Sequence, residues 1–397
     1  MRWLMLLILF LVRLAMGFQF QSVASTSAQL IDAFGLSYAQ VGTLIGLFLL
    51  PGVFIAIPSG ALTRAISDKN LLMLGAVTMT VGAYVMGSAA DATELYAGRL
   101  ITGVGGTIFN VILTKMVTEW FFEKEIVPAL AIMLTAWPIG IALGLLIHNP
   151  VAAAYGWNSV MYVTALAALA ALLLTALFYR APPAPLDLHG EPLRYGLPMR
   201  QLVHTSVVGV AWTLYNAAFI LVVSFMPGAL ISLGYERGAA SSVTSLFMWT
   251  MMVSVPIGGR LLQSTRHVTL ALAALLLASS AMLVVITTGT LPEAGLVLVG
   301  IISGIPAGAL MSLSAEAVSR ENRGPGLGIF YTWYYLGMTL MPVLAGWLRD
   351  WTGSAKAPVL LAALLMASVV ACVALLRTLQ ARWRIDERGS GVSAAAD

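Results

Sequence analysis

The stretch RAPPAPLDLHGEPLRYGLPMR, residues 180–200, lies at the middle of a chain of 397 residues. Its prolines and polar residues are typical of a linker, and it is the longest such connection in the chain. On each side we find six mostly apolar runs of roughly 20 residues or more, the length that crosses a bilayer. The twelve predicted spans are 3–31, 38–62, 70–89, 93–119, 126–149, 157–179, 201–232, 238–262, 267–289, 291–318, 325–349 and 356–379.

This pattern predicts an all-α membrane protein built from two six-helix bundles. The bundles are residues 1–179 and 201–379, the linker is 180–200, and the last segment, 380–397, is expected to be a disordered tail. Composition supports the class, because 59% of the residues are hydrophobic and only 10% are charged. A soluble protein has about 25% charged residues. The single cysteine, Cys372, excludes a disulfide framework and a cysteine-based metal site.

The distribution of lysine and arginine predicts the orientation of the spans, because cytoplasmic loops are enriched in both. One side carries the larger set, which is Arg2, Arg64, Lys69, Lys124, Arg180, Arg194, Arg200, Arg260, Arg266, Arg320, Arg323, Arg377, Arg382, Arg384 and Arg388. The other side has Arg237, Arg349 and Lys356. We therefore expect both termini in the cytoplasm of a bacterial cell, with the chain in the inner membrane. We expect the first apolar run to be a retained span rather than a signal peptide, because Arg13 interrupts it.

The two halves resemble each other at an offset of 197 or 198 residues. EWFFEKEIVPALAI (119–132) aligns with EAVSRENRGPGLGI (316–329), so that Glu119 matches Glu316 and Pro128 matches Pro325. A duplicated six-helix half is a transporter architecture, and it predicts a central site at the repeat interface near mid-membrane. The two predicted bundles are therefore pseudo-symmetric.

Several motifs resemble those of the major facilitator superfamily. GRLITGVGGT (98–107) is similar to the superfamily's fourth-helix motif, and GALTRAISDK (60–69) stands in place of its helix 2–3 loop motif with altered charges. GFQFQS (17–22) with PGVFIAIPSG (51–60) resembles the cyanate-permease and nitroimidazole-transporter branch. Trp137 replaces the glycine of the antiporter motif, which argues against drug efflux. The resemblance implies that spans 1, 4, 7 and 10 line a central cavity used for alternating access.

Two arginines, Arg13 and Arg99, lie inside predicted spans without an acidic residue at the same depth. An unpaired buried cation is costly, so we expect it to attract an anion. The predicted substrate-binding residues are Arg13, Gln21, Arg99, Asn110, Trp212, Tyr215 and Asn216. The alternatives are that Arg99 bonds backbone carbonyls, that the amides join helices, and that the aromatic residues only pack. The aromatic run FYTWYYLG (330–337) is able to wall a cavity, but we expect most of its rings to pack.

The repeat-equivalent Glu119 and Glu316 fall near the cytoplasmic ends of their spans. The resemblance implies a cytoplasmic gate in which they pair with Arg320 and Arg323. Lys115 precedes Glu119 by four residues, which predicts an ion pair on one helix face. His148 is expected at the membrane interface. Seven prolines are expected to permit helix bending, namely Pro51, Pro58, Pro138, Pro227, Pro256, Pro306 and Pro342.

These features predict a gradient-driven transporter for a small organic or inorganic anion. The alternative is a proton-coupled efflux antiporter for drugs or metabolites, and a coupling proton remains open in either case. A membrane enzyme is not expected, because no HExxH, GxSxG or GxxxxGK motif occurs and the histidines are dispersed. We expect a small-molecule substrate and the lipid bilayer as partners, no nucleic acid, no cofactor and no metal, and a monomer.

Overall fold

The computed structural model describes residues 1–55, 66–121, 125–182, 197–263, 265, 267–319 and 322–389. Within these residues, twelve helices or helix pairs are long and apolar enough to cross a membrane, which confirms the predicted number. In chain order the helices are Arg2–Ser25, Ser27–Phe34, Tyr38–Leu47, Leu50–Ile55, Asp68–Gly87, Ala92–Phe121, Ile126–Tyr155, Trp157–Phe178, Met199–Ile231, Arg237–Gln263, Val268–Thr287, Pro292–Gly304, Ala307–Glu316, Arg323–Thr352 and Ala357–Gly389. Helices suit this setting because they satisfy their own backbone groups.

We number the spans 1 to 12 from these helices. Tyr38–Leu47 and Leu50–Ile55 form span 2, and Pro292–Gly304 and Ala307–Glu316 form span 10. The short helix Ser27–Phe34 belongs to no span. Since the spans cross in alternation, both chain ends lie at one face, which we call the terminal face. The other is called the opposite face.

The ends of several spans differ from the prediction. Span 1 ends at Ser25 rather than at residue 31, and a separate short helix follows it. The last helix continues to Gly389, so residues 380–389 are helical and not a disordered tail. This extension contains alanine, arginine and glutamine, which are strong helix formers.

Prolines interrupt spans 2 and 10 but no other helix is broken at a proline in the described part of the chain. In span 2 the break lies just before Pro51, and in span 10 it lies at Pro306. Other prolines are accommodated inside continuous helices, namely Pro138, Pro150, Pro227, Pro256 and Pro342. Pro58 lies outside the described residues.

The two halves meet mainly through spans 2 and 11 and through spans 5 and 8. Glycines bring span 2 against span 11. A side chain at Gly42 would collide with the backbone carbonyl of Pro342, and one at Gly46 would collide with that of Thr339. Backbone approaches of this kind are the usual role of small residues between membrane helices.

Polar bonds reinforce this contact at the opposite face. Asp350 of span 11 accepts hydrogen bonds from the backbone N–H groups of Tyr38 and Ala39, at 3.0 and 2.8 Å. These two residues begin a helix, where N–H groups are unpaired and a carboxylate is favoured. Asn149 of span 5 also donates to the hydroxyl of Ser241 in span 8, at 2.6 Å. The described bonds between the halves thus hold the opposite face together.

Candidate functional site

Arg13 is the residue around which the candidate site is built. It lies midway along span 1, and its Nε atom is buried without a hydrogen-bond partner. Within the described part of the chain, Arg13 makes no hydrogen bond or ion pair. Its electrostatic neighbours are three tyrosines of span 11, Tyr331, Tyr334 and Tyr335, and no carboxylate is among them. A cation in this position has phenol groups around it but no counter-ion.

The three tyrosines form one cluster of rings. Ring centres are 5.2 Å apart for Tyr334 and Tyr335 and 6.1 Å apart for Tyr331 and Tyr334. Gly52 of span 2 gives the Tyr335 ring room, because a side chain there would overlap it. The Asn110 side chain of span 4 interacts with the Tyr335 hydroxyl. Asn110, which was predicted to bind substrate, therefore reaches the same cluster as Arg13.

Span 7 contributes a second aromatic group next to this cluster. Trp212 stacks on Tyr215 with ring centres 5.7 Å apart and on Phe330 with ring centres 6.2 Å apart. Phe330 in turn lies 5.3 Å from Tyr331, ring centre to ring centre. The rings thus run continuously from span 7 to the tyrosines beside Arg13.

Two predicted residues of span 7 are already bonded. Tyr215 is 1% exposed, and its hydroxyl donates to the backbone carbonyl of Ser303 in span 10 at 2.7 Å. The side-chain N–H of Asn216 donates to the backbone carbonyl of Trp212 in its own helix at 2.8 Å. This bond does not use the side-chain oxygen of Asn216. In this conformation Trp212 and Asn216 are partly buried, whereas Tyr215 is buried.

Arg99 is fully buried, at 0% exposure, and bonds backbone carbonyls. Its Nε donates to Leu44 at 2.9 Å, and its Nη2 and Nη1 donate to Phe20 at 2.9 Å and Gln19 at 3.4 Å. Its guanidinium carbon also lies 4.7 Å from the centre of the Phe48 ring. These contacts match the alternative in which Arg99 bonds backbone carbonyls. The role of Arg99 in substrate binding stays a prediction.

The two arginines do not share one depth in the protein. Arg99 bonds residues six and seven positions beyond Arg13 on span 1, which corresponds to roughly 10 Å along the helix axis. Sequence alone placed both near mid-depth. The difference arises because Arg99 lies in the part of span 4 nearer the opposite face, seven residues after that helix begins at Ala92, whereas Arg13 lies midway along span 1.

Gln21 joins the two halves instead of standing free. Its side-chain N–H donates to the backbone carbonyl of Val223 in span 7 at 3.2 Å, and its side-chain oxygen is buried without a partner. His148 lies nearby and is 0% exposed, with its ring centre 4.4 Å from that of Phe18. The expectation of an interfacial histidine was wrong, because span 5 continues to Tyr155 and places residue 148 inside the bundle.

The predicted gate residues are bonded within their own halves. Lys115 forms the expected ion pair with Glu119, at 3.6 Å, and a shorter one with Asp68, at 2.8 Å. Glu316 pairs with Arg377 of span 12 at 2.8 Å, a partner that the sequence did not suggest.

Two further gate residues cannot be compared with their predicted role. Arg320 lies outside the described residues, and the side chain of Arg323 is not among those described. The gate itself therefore stays a prediction.

The candidate site residues that the sequence did not single out are the tyrosines of span 11. The run FYTWYYLG (330–337) is aromatic, but no local sequence pattern indicates that three of its rings lie beside Arg13. Trp333 of the same run points elsewhere, because it contacts Gly209 and is 39% exposed. In the described part of the chain, no group of histidine, cysteine and acidic side chains is arranged to hold a metal ion.

Comparison with known proteins agrees with this architecture. The chain is 25% identical over 350 residues to the 3-(3-hydroxy-phenyl)propionate transporter of Escherichia coli, covering 85% of this chain and 84% of that one. It is 22% identical over 355 residues to the "Probable nitrate transporter NarT" of Staphylococcus epidermidis, covering 86% and 88%. The similarity to the cyanate-permease branch stays a prediction.

The fold has a close counterpart among solved structures. A bacterial homologue of the human lysosomal transporter Spinster, in an inward-facing and occupied conformation, matches with a TM-score of 0.67, 18% identity and 96% coverage of both chains. The family model described as Major Facilitator Superfamily matches residues 7–235 and 205–394, which is nearly the whole chain. The chain is therefore a multi-pass membrane transporter, not an enzyme, and it belongs to the Major Facilitator Superfamily.

Proposed function

We propose that this chain is a secondary active transporter that carries a small organic or inorganic anion through a central cavity by alternating access. The observation that carries the proposal is Arg13, a cation inside the membrane span that makes no hydrogen bond or ion pair with the described residues. Burying an unpaired charge costs several kcal/mol, on the order of 3 kcal/mol or more in a membrane helix. A bound anion would offset that cost.

The neighbouring groups favour an anion over other solutes. The hydroxyl groups of Tyr331, Tyr334 and Tyr335 can donate hydrogen bonds to an oxygen atom held by Arg13. A planar guanidinium matches the geometry of a carboxylate or oxyanion. Asn110 adds a polar group at Tyr335. Gln21, Asn216 and Arg99 remain proposed contributors that would have to act in another conformation of the cycle.

The aromatic wall points to a more specific substrate class. Trp212 and Tyr331 are partly exposed, and the buried ring of Phe330 packs between them beside Arg13. Aromatic rings interact favourably with one another at these separations, so this wall suits a carboxylate that carries a ring. One relative is named for such an aromatic acid and another for nitrate. We therefore rank a small aromatic monocarboxylate first and nitrate second.

Alternating access is proposed from the packing of the halves. The bonds from Asp350 to span 2 and from Asn149 to Ser241 join the halves at the opposite face. We place that face outside the cell and both termini in the cytoplasm, on the distribution of lysine and arginine. The transporter would then work as a monomer in the bacterial inner membrane, with the site reached from the cytoplasmic side in this state.

The efflux antiporter is the weaker candidate. Proton exchange with a drug would require a titratable carboxylate near the central site. Of the two acidic residues at span ends considered for this role, Glu119 is bonded to Lys115 near the terminal face and Glu316 is exposed beside Arg377. Neither is a neighbour of Arg13 among the described residues.

The test is a thermal-shift and transport panel on the purified protein. The solutes are benzoate, 4-hydroxybenzoate, nitrate and tetraphenylphosphonium, and the proteins are wild type, Arg13→Gln and Arg260→Gln. Arg260 is a suitable control because it is an exposed arginine near the end of span 8 at the terminal face. A ligand that binds the folded state raises the melting temperature. We expect stabilisation and transport of an anion in wild type and Arg260→Gln, with both strongly reduced in Arg13→Gln.

Stabilisation by the lipophilic cation, independent of Arg13, would reject the anion proposal and favour the efflux antiporter. Equal anion responses in wild type and Arg13→Gln would leave an anion transporter but remove Arg13 from its binding site. Reconstituted vesicles with an imposed pH gradient then test for a coupling proton.

A further inference from the structure

A cavity lies apart from Arg13, at the opposite face. It has a volume of about 200 Å³ and is bordered by spans 1, 2, 5, 7, 8 and 11. Its polar lining includes Ser25, Asn149, Ser224, Arg237, Ser241 and Arg349. Ser25 is twelve residues beyond Arg13 on span 1, or roughly 18 Å along the helix axis. The cavity is therefore distinct from the region of the central site.

Two hydroxyl groups of this cavity have no partner. The Oγ atoms of Ser25 and Ser224 are buried and make no hydrogen bond. Both side chains belong to residues that are more than nine-tenths buried, at 8% and 7% exposure. Buried polar groups are normally satisfied, so two such hydroxyls at one cavity indicate a missing partner. The two serines come from different halves of the protein, on spans 1 and 7.

The charged side chains that line the cavity are both arginines, and the carboxylate of Asp350 is an electrostatic neighbour of one of them, Arg349. Arg237 and Arg349 line it, and none of its lining residues is aspartate or glutamate. Arg349 donates to the Tyr38 hydroxyl at 2.8 Å, which leaves the proton of that hydroxyl free to be donated in turn. The guanidinium of Arg349 also lies against Gly228, where a side chain would collide with it. The nearby carboxylate of Asp350 is already bonded to two backbone N–H groups.

From these observations we infer that the cavity is a second anion-binding site, which holds the transported anion on its way between the opposite face and the central site. The site offers hydroxyl donors from both halves and two guanidinium groups, a donor set suited to a carboxylate or an oxyanion. This inference rests on the proposed function, because it assigns the same anion to both sites. The cavity lies at the interface between the two halves, so the anion would be bound where the halves separate.

The experiment measures anion binding in protein that lacks the central cation. Nitrate, benzoate and 4-hydroxybenzoate are titrated into Arg13→Gln, and the melting temperature and calorimetric Kd are recorded. The same titrations are made after Arg237→Gln or Ser224→Ala is added, with Arg260→Gln as the control for the loss of a positive charge from span 8. Arg349 is left unchanged, because its contact with Tyr38 helps to join spans 2 and 11.

We expect Arg13→Gln to keep a weaker anion response. Adding Arg237→Gln or Ser224→Ala should weaken the remaining Kd about tenfold, and adding Arg260→Gln should leave it unchanged. The inference is overturned if Arg13→Gln removes every anion response that the wild type shows, or if the remaining response ignores both cavity substitutions. A wild type that responds to none of the anions would overturn the proposed function and the second site together.

Discussion

The guanidinium of Arg99 and the backbone carbonyl of Leu44 are joined by a hydrogen bond of 2.9 Å, deep inside the N-terminal half. Two further bonds from the same guanidinium reach Phe20 and Gln19. Arg99 therefore ties span 4 to spans 1 and 2. Since helices normally use their carbonyls internally, these bonds are additional to the helical ones and stabilise the packing of three spans.

Arg99→Lys is expected to lower stability more than anion affinity. Lysine keeps the charge but cannot reproduce the planar set of donors, so at least one of the three carbonyl bonds is lost. The expected loss is about 2 kcal/mol of unfolding free energy. Thermal unfolding in detergent, with the anion Kd measured below the transition, separates the two effects. An unchanged melting temperature with a lost anion affinity would show instead that Arg99 contacts the substrate.

Tyr334→Phe is expected to weaken anion binding without harming the fold. The substitution removes one of the hydroxyl groups next to Arg13 and keeps the ring that contacts Tyr335. A hydrogen bond to a charged group contributes about 1.5 kcal/mol, so KM should rise roughly tenfold. Uptake kinetics in vesicles measure this.

Trp333→Phe is the matched control for Tyr334→Phe. Trp333 belongs to the same aromatic run but contacts Gly209 and is partly exposed. Its KM should stay close to that of the wild type. A rise in KM of the same size in both variants would mean that the aromatic run acts through packing and not through the hydroxyl group.

Gly42→Ala is expected to open the opposite face. The added methyl group would collide with the carbonyl oxygen of Pro342, so spans 2 and 11 cannot keep their present distance. Spin labels at Ala33 and Thr352, in a Cys372→Ala background, should report a longer distance between the halves by double electron–electron resonance. Gly259→Ala is the control, because a side chain at Gly259 meets open space. A distance that is unchanged in Gly42→Ala would contradict this account of the closed face.

His148→Leu is expected to raise the melting temperature. Both ring nitrogens of His148 are buried without a well-formed hydrogen bond, and the polar neighbour of the ring is the backbone of Gln21. At least one nitrogen is therefore unpaired, which costs about 1–3 kcal/mol. Leucine removes that cost and keeps an apolar contact with Phe18. His204→Leu is the comparison, because the His204 ring takes part in an interaction, so its gain in melting temperature should be smaller. A lower melting temperature for His148→Leu would indicate that a bound water or a proton makes His148 useful to the fold.

The sequence predicts the spans well because their signal is local. The length of an apolar run decides whether a helix can cross a bilayer, and all twelve spans follow from that rule. Helix breaks are less predictable. Pro51 and Pro306 interrupt their spans, whereas Pro227 and Pro342 lie in continuous helices. Whether a proline breaks a helix depends on neighbours that can satisfy the freed carbonyl, and those neighbours are distant in sequence.

The candidate site could be predicted only in part. The sequence identified Arg13 as a costly charge inside a membrane span, and its role in substrate binding stays a prediction. Its actual neighbours, the tyrosines of span 11, lie more than 300 residues further along the chain. Arg99 appeared equivalent to Arg13, because the sequence shows only that both are arginines inside predicted spans. Its three carbonyl partners depend on how spans 1, 2 and 4 pack, which no local pattern records.

The interrupted helices have a consequence for how each half of the protein can move. Span 2 is broken in the first half and span 10 in the second, yet under the internal repeat span 2 corresponds to span 8 and span 10 to span 4, and both of these are continuous. The helices of the two halves are therefore interrupted at positions that are not equivalent. In the proposed alternating-access cycle, the interrupted spans 2 and 10 are the helices that we expect to bend. Because they are not equivalent under the internal repeat, the two halves should change shape differently as the cycle proceeds.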